Sequence, residues 1–257
     1  LVRPDGNGGA LVVWSNASTG SIGVTGQHVG VDGSQAWDVD GSEFFFGIDG
    51  DASKFQTLTW DDNDALIFWE DNRWAGTGSV SMAQVMDQTG AIQYAMDGEV
   101  LSGNEQQLSP IIVPDNEGGA YITYTNISTG TEILFAQHVG DDLAPTWASD
   151  GIQVNPNAIL GQFKPQMVTS ADAYLYYFWT EDIFFQGLLL HAQKYDINGV
   201  AQWAAGGLQI GPPEIGGDKY VTSAIAMADS TVIYVWESET VDGTKTYVSK
   251  LSPAGSN

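Results

Sequence analysis

One unit of roughly 55 residues recurs along the chain, and this repeat limits the possible folds more than any other feature. An aromatic residue that ends an apolar run recurs at spacings of 55, 55, 55 and 57 residues, at Trp14, Trp69, Tyr124, Trp179 and Trp236. A glutamine, replaced by lysine in the last copy, follows at Gln27, Gln84, Gln137, Gln193 and Lys250. A later aromatic recurs at Trp37, Tyr94, Trp147 and Trp203. The sequence therefore contains about four and a half to five copies of the unit.

Each unit has the pattern of four short β-strands. In the third copy the strand-like runs are Pro110 to Val113, Ala120 to Tyr124, Glu132 to Val139 and Trp147 to Val154. The second run is rich in β-branched and aromatic residues, and Asp, Asn and Gly residues typical of turns separate it from the first. No segment carries a convincing helical period of apolar residues. The chain is therefore predicted to be all-β.

Repeated four-stranded units predict a β-propeller, because each blade of a propeller buries its faces against its neighbours. We expect a single domain, 1–257, of about five four-stranded blades. Their boundaries are predicted at 1–52, 53–108, 109–163, 164–219 and 220–257, with the last blade incomplete. A β-solenoid and a fragment of a larger propeller or β-repeat array remain as alternatives.

The charge of the chain excludes some partners. With 32 acidic and 8 basic residues the net charge is −24, so the molecule repels phosphate backbones and anionic membranes. No apolar stretch is long enough for a membrane span. We therefore expect neither nucleic-acid binding nor membrane insertion. Cysteine is absent, which rules out disulfides and thiolate metal sites.

The repeat also resembles a known type of repeat. Asp5 to Trp14 with Gln27 and Trp37, and the matching Asp115 to Tyr124 with Gln137, resemble a propeller-type repeat of large secreted bacterial surface proteins. The resemblance covers nearly the whole chain. It implies export to the exterior or the cell surface, an adhesive role, and kinship with type IX secretion cargo as part of a larger multidomain chain. It supplies no catalytic residues.

Catalytic and metal-binding motifs are not evident. His28 and His138 occupy equivalent places in a repeated Gln-His-Val-Gly motif, so we interpret them as parts of the repeat, and no phosphate-binding loop or nucleophile motif occurs. We predict no catalytic residue, no metal ligand and no cofactor. Calcium alone is left open, by acidic clusters that also make good turns. These clusters lie at 38–41, 49–51 and 61–64.

Loops after the second and fourth strands emerge on one face of a propeller, and we expect ligands to meet that face. Aromatic and charged residues that suit sugar stacking and hydrogen bonding follow the second strand of two units. The predicted ligand-binding residues are Glu70, Asp71, Arg73, Trp74, Glu181, Asp182 and Phe184.

These observations favour a non-enzymatic, secreted or surface-attached propeller that acts as a binding or scaffold module, with a glycan or a surface protein as partner. Recurrence of the carboxylates at equivalent positions argues against a unique catalytic pair. Two alternatives stay open: a propeller glycoside hydrolase that uses two carboxylates, and a structural spacer in a surface filament.

Overall fold

The computed structural model describes the chain except for residues 19–20, 46–51, 61–63, 73–77, 102, 104–106, 128–129, 184–185, 212–216 and 257. We number the five repeats units 1 to 5 and count units 2 to 5 from their first strands, which begin one or two residues before the predicted boundaries. Unit 1 contains β1 (Val2–Pro4), β2 (Ala10–Ser18), β3 (Ser21–Val29) and β4 (Ser42–Phe45). Unit 2 contains β5 (Ala52–Thr59), β6 (Ala65–Asp71), β7 (Val80–Met86) and β8 (Glu99–Val100). Unit 3 contains β9 (Gln107–Pro114), β10 (Ala120–Asn126), β11 (Ile133–Val139) and β12 (Ile152–Gln153).

The last two units continue the pattern. Unit 4 contains β13 (Gln162–Thr169), β14 (Leu175–Ile183), β15 (Gly187–Tyr195) and β16 (Leu208–Ile210). Unit 5 contains β17 (Asp218–Ala226), β18 (Val232–Thr240) and β19 (Gly243–Leu251). Each unit forms one antiparallel sheet in sequence order, with four strands in units 1 to 4 and three in unit 5. Within the described ranges, no helix has the length and hydropathy needed to cross a membrane.

Neighbouring sheets pack face to face around their first strands. The first strands of successive units contact one another, β1 with β5, β5 with β9, β9 with β13 and β13 with β17. Between each pair of units lies a separate apolar core. At the junction of units 1 and 2, for example, Phe45 stacks on Trp69 with ring centroids 5.4 Å apart. This arrangement confirms the predicted all-β propeller architecture.

The repeated glutamine clamps the repeated aromatic. The side-chain oxygens of Gln27, Gln84, Gln137 and Gln193 accept the backbone N–H of Trp37, Tyr94, Trp147 and Trp203 at 2.9, 3.1, 3.2 and 3.2 Å. The amide group of each glutamine donates to the backbone carbonyl of the residue directly after that aromatic, at 2.6–2.9 Å. The glutamine side chain thus makes hydrogen bonds to the last segment that the backbone of a neighbouring strand would otherwise make. For this reason the run predicted from Trp147 to Val154 forms a strand only at Ile152–Gln153.

The clamped aromatic also joins unit 1 to unit 2 and unit 3 to unit 4. The indole N–H of Trp37 donates to the carbonyl of Gln88 at 3.2 Å, and that of Trp147 donates to Ile197 at 2.9 Å. A glycine with positive φ lies against each ring, Gly90 under Trp37 and Gly199 under Trp147. A Cβ added to either glycine would lie 3.0 Å from ring atoms. A bare, left-handed backbone is therefore required where the ring docks.

Candidate functional site

A cleft of about 580 Å³ opens on the face where the second strands end and the first strands begin. This is the face on which the sequence places ligand contacts. Three consecutive units contribute to its walls. The lining residues are Ser109, Thr125, Glu132, Phe163, Lys164, Pro165, Thr180, Asp182, Leu188, Asp218, Tyr220 and Glu239.

Two lining residues hold an unusual backbone conformation. Ser109 has a φ of 50° and Lys164 a φ of 49°. Each lies where the pairing of a first strand with a second strand shifts register, so each is part of a β-bulge. Left-handed φ is unfavourable for residues other than glycine, and bulges often reorient side chains at functional sites. Lys54 repeats the feature in unit 2, with a φ of 56°.

A tyrosine links two carboxylates at the rim of the cleft. The Tyr220 hydroxyl donates to Glu239 Oε1 at 2.5 Å and lies 2.9 Å from Glu237 Oε2. The hydrogen bonds to Glu239 and Glu237 raise the pKa of Tyr220. The phenol therefore stays protonated well above neutral pH. The ammonium group of Lys164 lies 3.4 Å from the centroid of the Tyr220 ring and adds a cation–π contact.

Four carboxylates line the cleft: Glu132, Asp182, Asp218 and Glu239. Strand pairing aligns Glu132 with Leu188 in unit 4 and Thr244 in unit 5. Asp218 aligns with Gly161, directly before the first strand of unit 4, whose carbonyl accepts the N–H of Asp182. In the sequence of unit 2 the counterpart of Asp218 is Asp51. Glu132 is therefore the lining carboxylate that interrupts the repeat.

Four of the seven predicted ligand-binding residues are among the described residues. Asp182 lines the cleft. Glu70 is buried next to the cleft and accepts the backbone N–H of the lining residue Ser109 at 2.7 Å. Asp71 and Glu181 are buried and serve the fold, since each accepts the indole N–H of the tryptophan two residues before it, at 2.9 and 2.8 Å. Glu181 also accepts both bonds from the Asn155 amide. The predicted Arg73, Trp74 and Phe184 lie outside the described residues.

The histidines have structural environments. His28 and His138 each bond through Nε2 to an aspartate of the first turn, Asp5 at 2.9 Å and Asp115 at 2.8 Å. His191 stacks on Trp179 with centroids 5.4 Å apart, and burial lowers its pKa. Among the residues that the structure describes, no three His, Asp or Glu side chains are grouped to hold a metal ion. The acidic clusters 49–51 and 61–63 lie outside that part of the chain.

Sequence reasoning missed Glu132, Lys164, Asp218 and Tyr220. The predicted ligand-binding residues lie directly after the repeated aromatic of the second strand, and these four do not. A usable signal was present, because Glu132 precedes β11 and Asp218 begins β17, next to the loops expected to meet ligands. At Glu132 the sequence also breaks the repeat.

Comparisons with known proteins agree with the architecture. No protein-family model matches the chain, and no curated protein is significantly similar to it in sequence. Among solved structures, it is similar to the polysaccharide lyase Uly1, with a TM-score of 0.59 and 10% identity, over 97% of this chain and 68% of that one. It is also similar to an endo-arabinase from Bacteroides thetaiotaomicron, with a TM-score of 0.51 and 12% identity, over 97% and 92%.

These similarities correct the functional expectation drawn from the sequence. The chain was predicted to be a non-enzymatic binding or scaffold module, and that prediction was wrong, because solved proteins that share its fold are carbohydrate-cleaving enzymes. The argument from recurring carboxylates considered only repeated positions, whereas Glu132 stands where units 4 and 5 have Leu188 and Thr244. The chain has a β-propeller fold, which it shares with these solved carbohydrate-cleaving proteins.

Proposed function

We propose that the chain is a propeller glycoside hydrolase that cleaves a neutral polysaccharide in the cleft between units 3, 4 and 5. The observation that carries the proposal is the convergence of four carboxylates from three units on one cleft. Glycoside hydrolysis needs one carboxyl group to protonate the glycosidic oxygen and a second to act as nucleophile or base. The solved structures described above support the proposal through similarity of fold.

Roles are assigned from the contacts of each carboxylate. Glu239 accepts the Tyr220 hydrogen bond at 2.5 Å and is thereby oriented as an acceptor, so we assign it the nucleophile or base. Asp182 occupies the equivalent place in the neighbouring unit and faces the same cleft, and we assign it the acid. Phe163, Pro165 and Leu188 supply apolar wall against which a sugar ring packs.

Charge selects the class of substrate. Among the described lining residues the cleft has four carboxylates and one cation, Lys164, whose ammonium group already lies on the Tyr220 ring. A uronate polymer would bring further negative charge into this field, and a lyase acting on it would need cationic groups to neutralise the substrate carboxylate. An uncharged chain meets no such repulsion. This reasoning favours hydrolysis of a neutral glycan over elimination from a uronate.

Product analysis separates the two reactions. The purified chain is incubated with a neutral arabinan and, in parallel, with a uronate polysaccharide. Hydrolysis of the neutral polymer to saturated oligosaccharides with new reducing ends supports the proposal. Release of unsaturated, ultraviolet-absorbing ends from the uronate polymer alone would establish a lyase instead.

We propose an extracellular location, since polymeric glycans are met outside the cell and the sequence resembles repeats of secreted surface proteins. The strongly acidic composition suits such a medium. Membership of the type IX secretion cargo remains a proposal that rests on the resemblance alone.

A further inference from the structure

The face of unit 1 that points away from unit 2 is an uncovered copy of a surface that is covered in the other units. We call it the rear face and define it by Val12, Trp14, Val31 and Gly33. Trp14 is 38% exposed, whereas its counterpart Trp69 is fully buried against unit 1. Val31 is 79% exposed. The rear face therefore presents apolar groups that units 2 to 5 bury.

The junctions between the other units show what packs on the equivalent surface there. At the rear of unit 2, the Gln88 carbonyl accepts the Trp37 indole and Gly90 lies under the ring. At the rear of unit 4, the Ile197 carbonyl accepts the Trp147 indole and Gly199 lies under that ring. At the rear of unit 5, Gly255 packs against Trp203. At three of the four junctions the preceding unit thus supplies a glutamine-clamped tryptophan. At the rear of unit 3 the Asp141 carbonyl instead accepts the indole N–H of Trp60, and Leu143 stands at the place of the glycine.

Unit 1 retains this socket, and no ring of the described residues lies in it. Pairing of Ala10 with Val29 and of Ala65 with Met86 aligns Val31 with Gln88 and Gly33 with Gly90. Gly33 keeps the left-handed backbone, with a φ of 82° against 88° at Gly90. A Cβ at Gly33 would have no atom within 4 Å, whereas one at Gly90 would touch Trp37.

The described residues of unit 5 do not cover the rear face of unit 1. The outward face of unit 5 is itself uncovered, with Ile225 60% and Val248 69% exposed. Lys250 replaces the clamping glutamine in this unit. Unit 5 therefore lacks the side chain that clamps the aromatic in units 1 to 4. A second copy of this chain would offer the same unit 5 face, and the net charge of −24 opposes its approach.

We infer that the rear face of unit 1 is a docking surface for one further complete unit of the same repeat, which places its glutamine-clamped tryptophan over Gly33 and donates the indole N–H to the Val31 carbonyl. The same contact buries Trp14, as unit 1 buries Trp69. The inference is independent of the cleft, which lies in units 3 to 5.

The test adds such a unit to the intact chain. The backbone of Leu1 bonds to Val13, as a first-strand residue bonds to the second strand. Val13 corresponds to Phe178 of unit 4, which pairs with Gln166, so Leu1 corresponds to Gln166. A copy of residues 107–165 fused directly before Leu1 therefore continues the first strand of unit 1 in register and brings its Trp147 to the socket. A second fusion carries residues 162–222, whose ring is Trp203.

Accessibility of the socket is measured by cysteine labelling, because the chain has no native cysteine. Val31→Cys should react with a maleimide rapidly in the unfused chain and at least tenfold more slowly in both fusions. The first fusion with Trp147→Ala in the added copy should label at the unfused rate. Val241→Cys, on a fully exposed turn residue, is the matched control and should label alike in every protein.

Three results would overturn the inference. One is labelling of Val31→Cys at the unfused rate in both fusions. Another is unfolding of both fusions at lower urea concentration than the unfused chain, because a docked unit must stabilise unit 1. The third is concentration-dependent protection of Val31→Cys in the unfused chain, which would assign the surface to a second copy.

Discussion

The carboxylate of Glu70 accepts the backbone N–H of Ser109 at 2.7 Å, across the boundary between units 2 and 3. Ser109 has left-handed φ and lines the cleft, so this bond from the neighbouring unit holds a strained residue in place. Cleft and blade packing are therefore coupled through one buried carboxylate.

Loss of this acceptor should destabilise the fold. Glu70→Ala leaves the Ser109 N–H without its partner, and we expect the free energy of unfolding to fall by about 1–3 kcal/mol. Glu70→Gln keeps an oxygen at the same place and should cost less. Urea unfolding followed by circular dichroism measures both. Equal losses in the two variants would show that charge, and not the hydrogen bond, matters.

The glutamine clamp should be a main determinant of each unit's last segment. Gln137→Leu removes the partners of the Trp147 N–H and the Ala148 carbonyl, and we expect a loss of about 2 kcal/mol or more. Gln209→Leu, at an exposed strand position, serves as the control and should stay within about 0.5 kcal/mol of the parent chain. Chemical denaturation of the three proteins decides the point.

Two glycines allow the cost of ring docking to be isolated. Gly90→Ala and Gly33→Ala both force alanine into a left-handed backbone, at about 1–2 kcal/mol. Only the alanine at position 90 meets Trp37 and Ser42. Thermal unfolding should therefore place the midpoint of Gly90→Ala below that of Gly33→Ala. Indistinguishable midpoints would argue against the docking described for Trp37.

Acid sensitivity should depend on His191. Burial lowers the pKa of this imidazole below its ordinary value of about 6.5, so folding favours the neutral form. This contribution to stability is complete above pH 6.5 and is lost as the pH falls through the lowered pKa. His191→Phe introduces the residue found at the equivalent Phe135 and should flatten the decline in unfolding free energy below pH 6.5. An unchanged decline would exclude His191 as its source.

The architecture could be predicted from the sequence because its signals are local and repeated. The aromatics from Trp14 to Trp236 mark the second strands at a nearly constant spacing, and turns of Asp, Asn and Gly separate each second strand from the first. The glutamine and the later aromatic were visible as landmarks, but the clamp between Gln137 and Trp147 was not. It follows from pairing across a unit, which spacing alone does not reveal.

The cleft was only partly predictable. Its face was, since strand direction alternates, and Asp182 was among the predicted residues. The left-handed bulges at Ser109 and Lys164 give no sequence signal, because neither residue type favours positive φ. Convergence of Glu132 with Asp218 depends on which units are neighbours and on the register of each sheet. Both are properties of the folded chain.

The central claim is hydrolysis of a neutral glycan by carboxylates of this cleft, and reducing-end release from arabinan tests it most directly. We predict measurable kcat in the parent chain and a loss of about 100-fold or more in Asp182→Asn and in Glu239→Gln, with the fold retained. Glu43→Gln, an exposed carboxylate of unit 1, should keep full activity. Equal activity in all four proteins, or none in the parent chain on any neutral polysaccharide tested, would contradict the account.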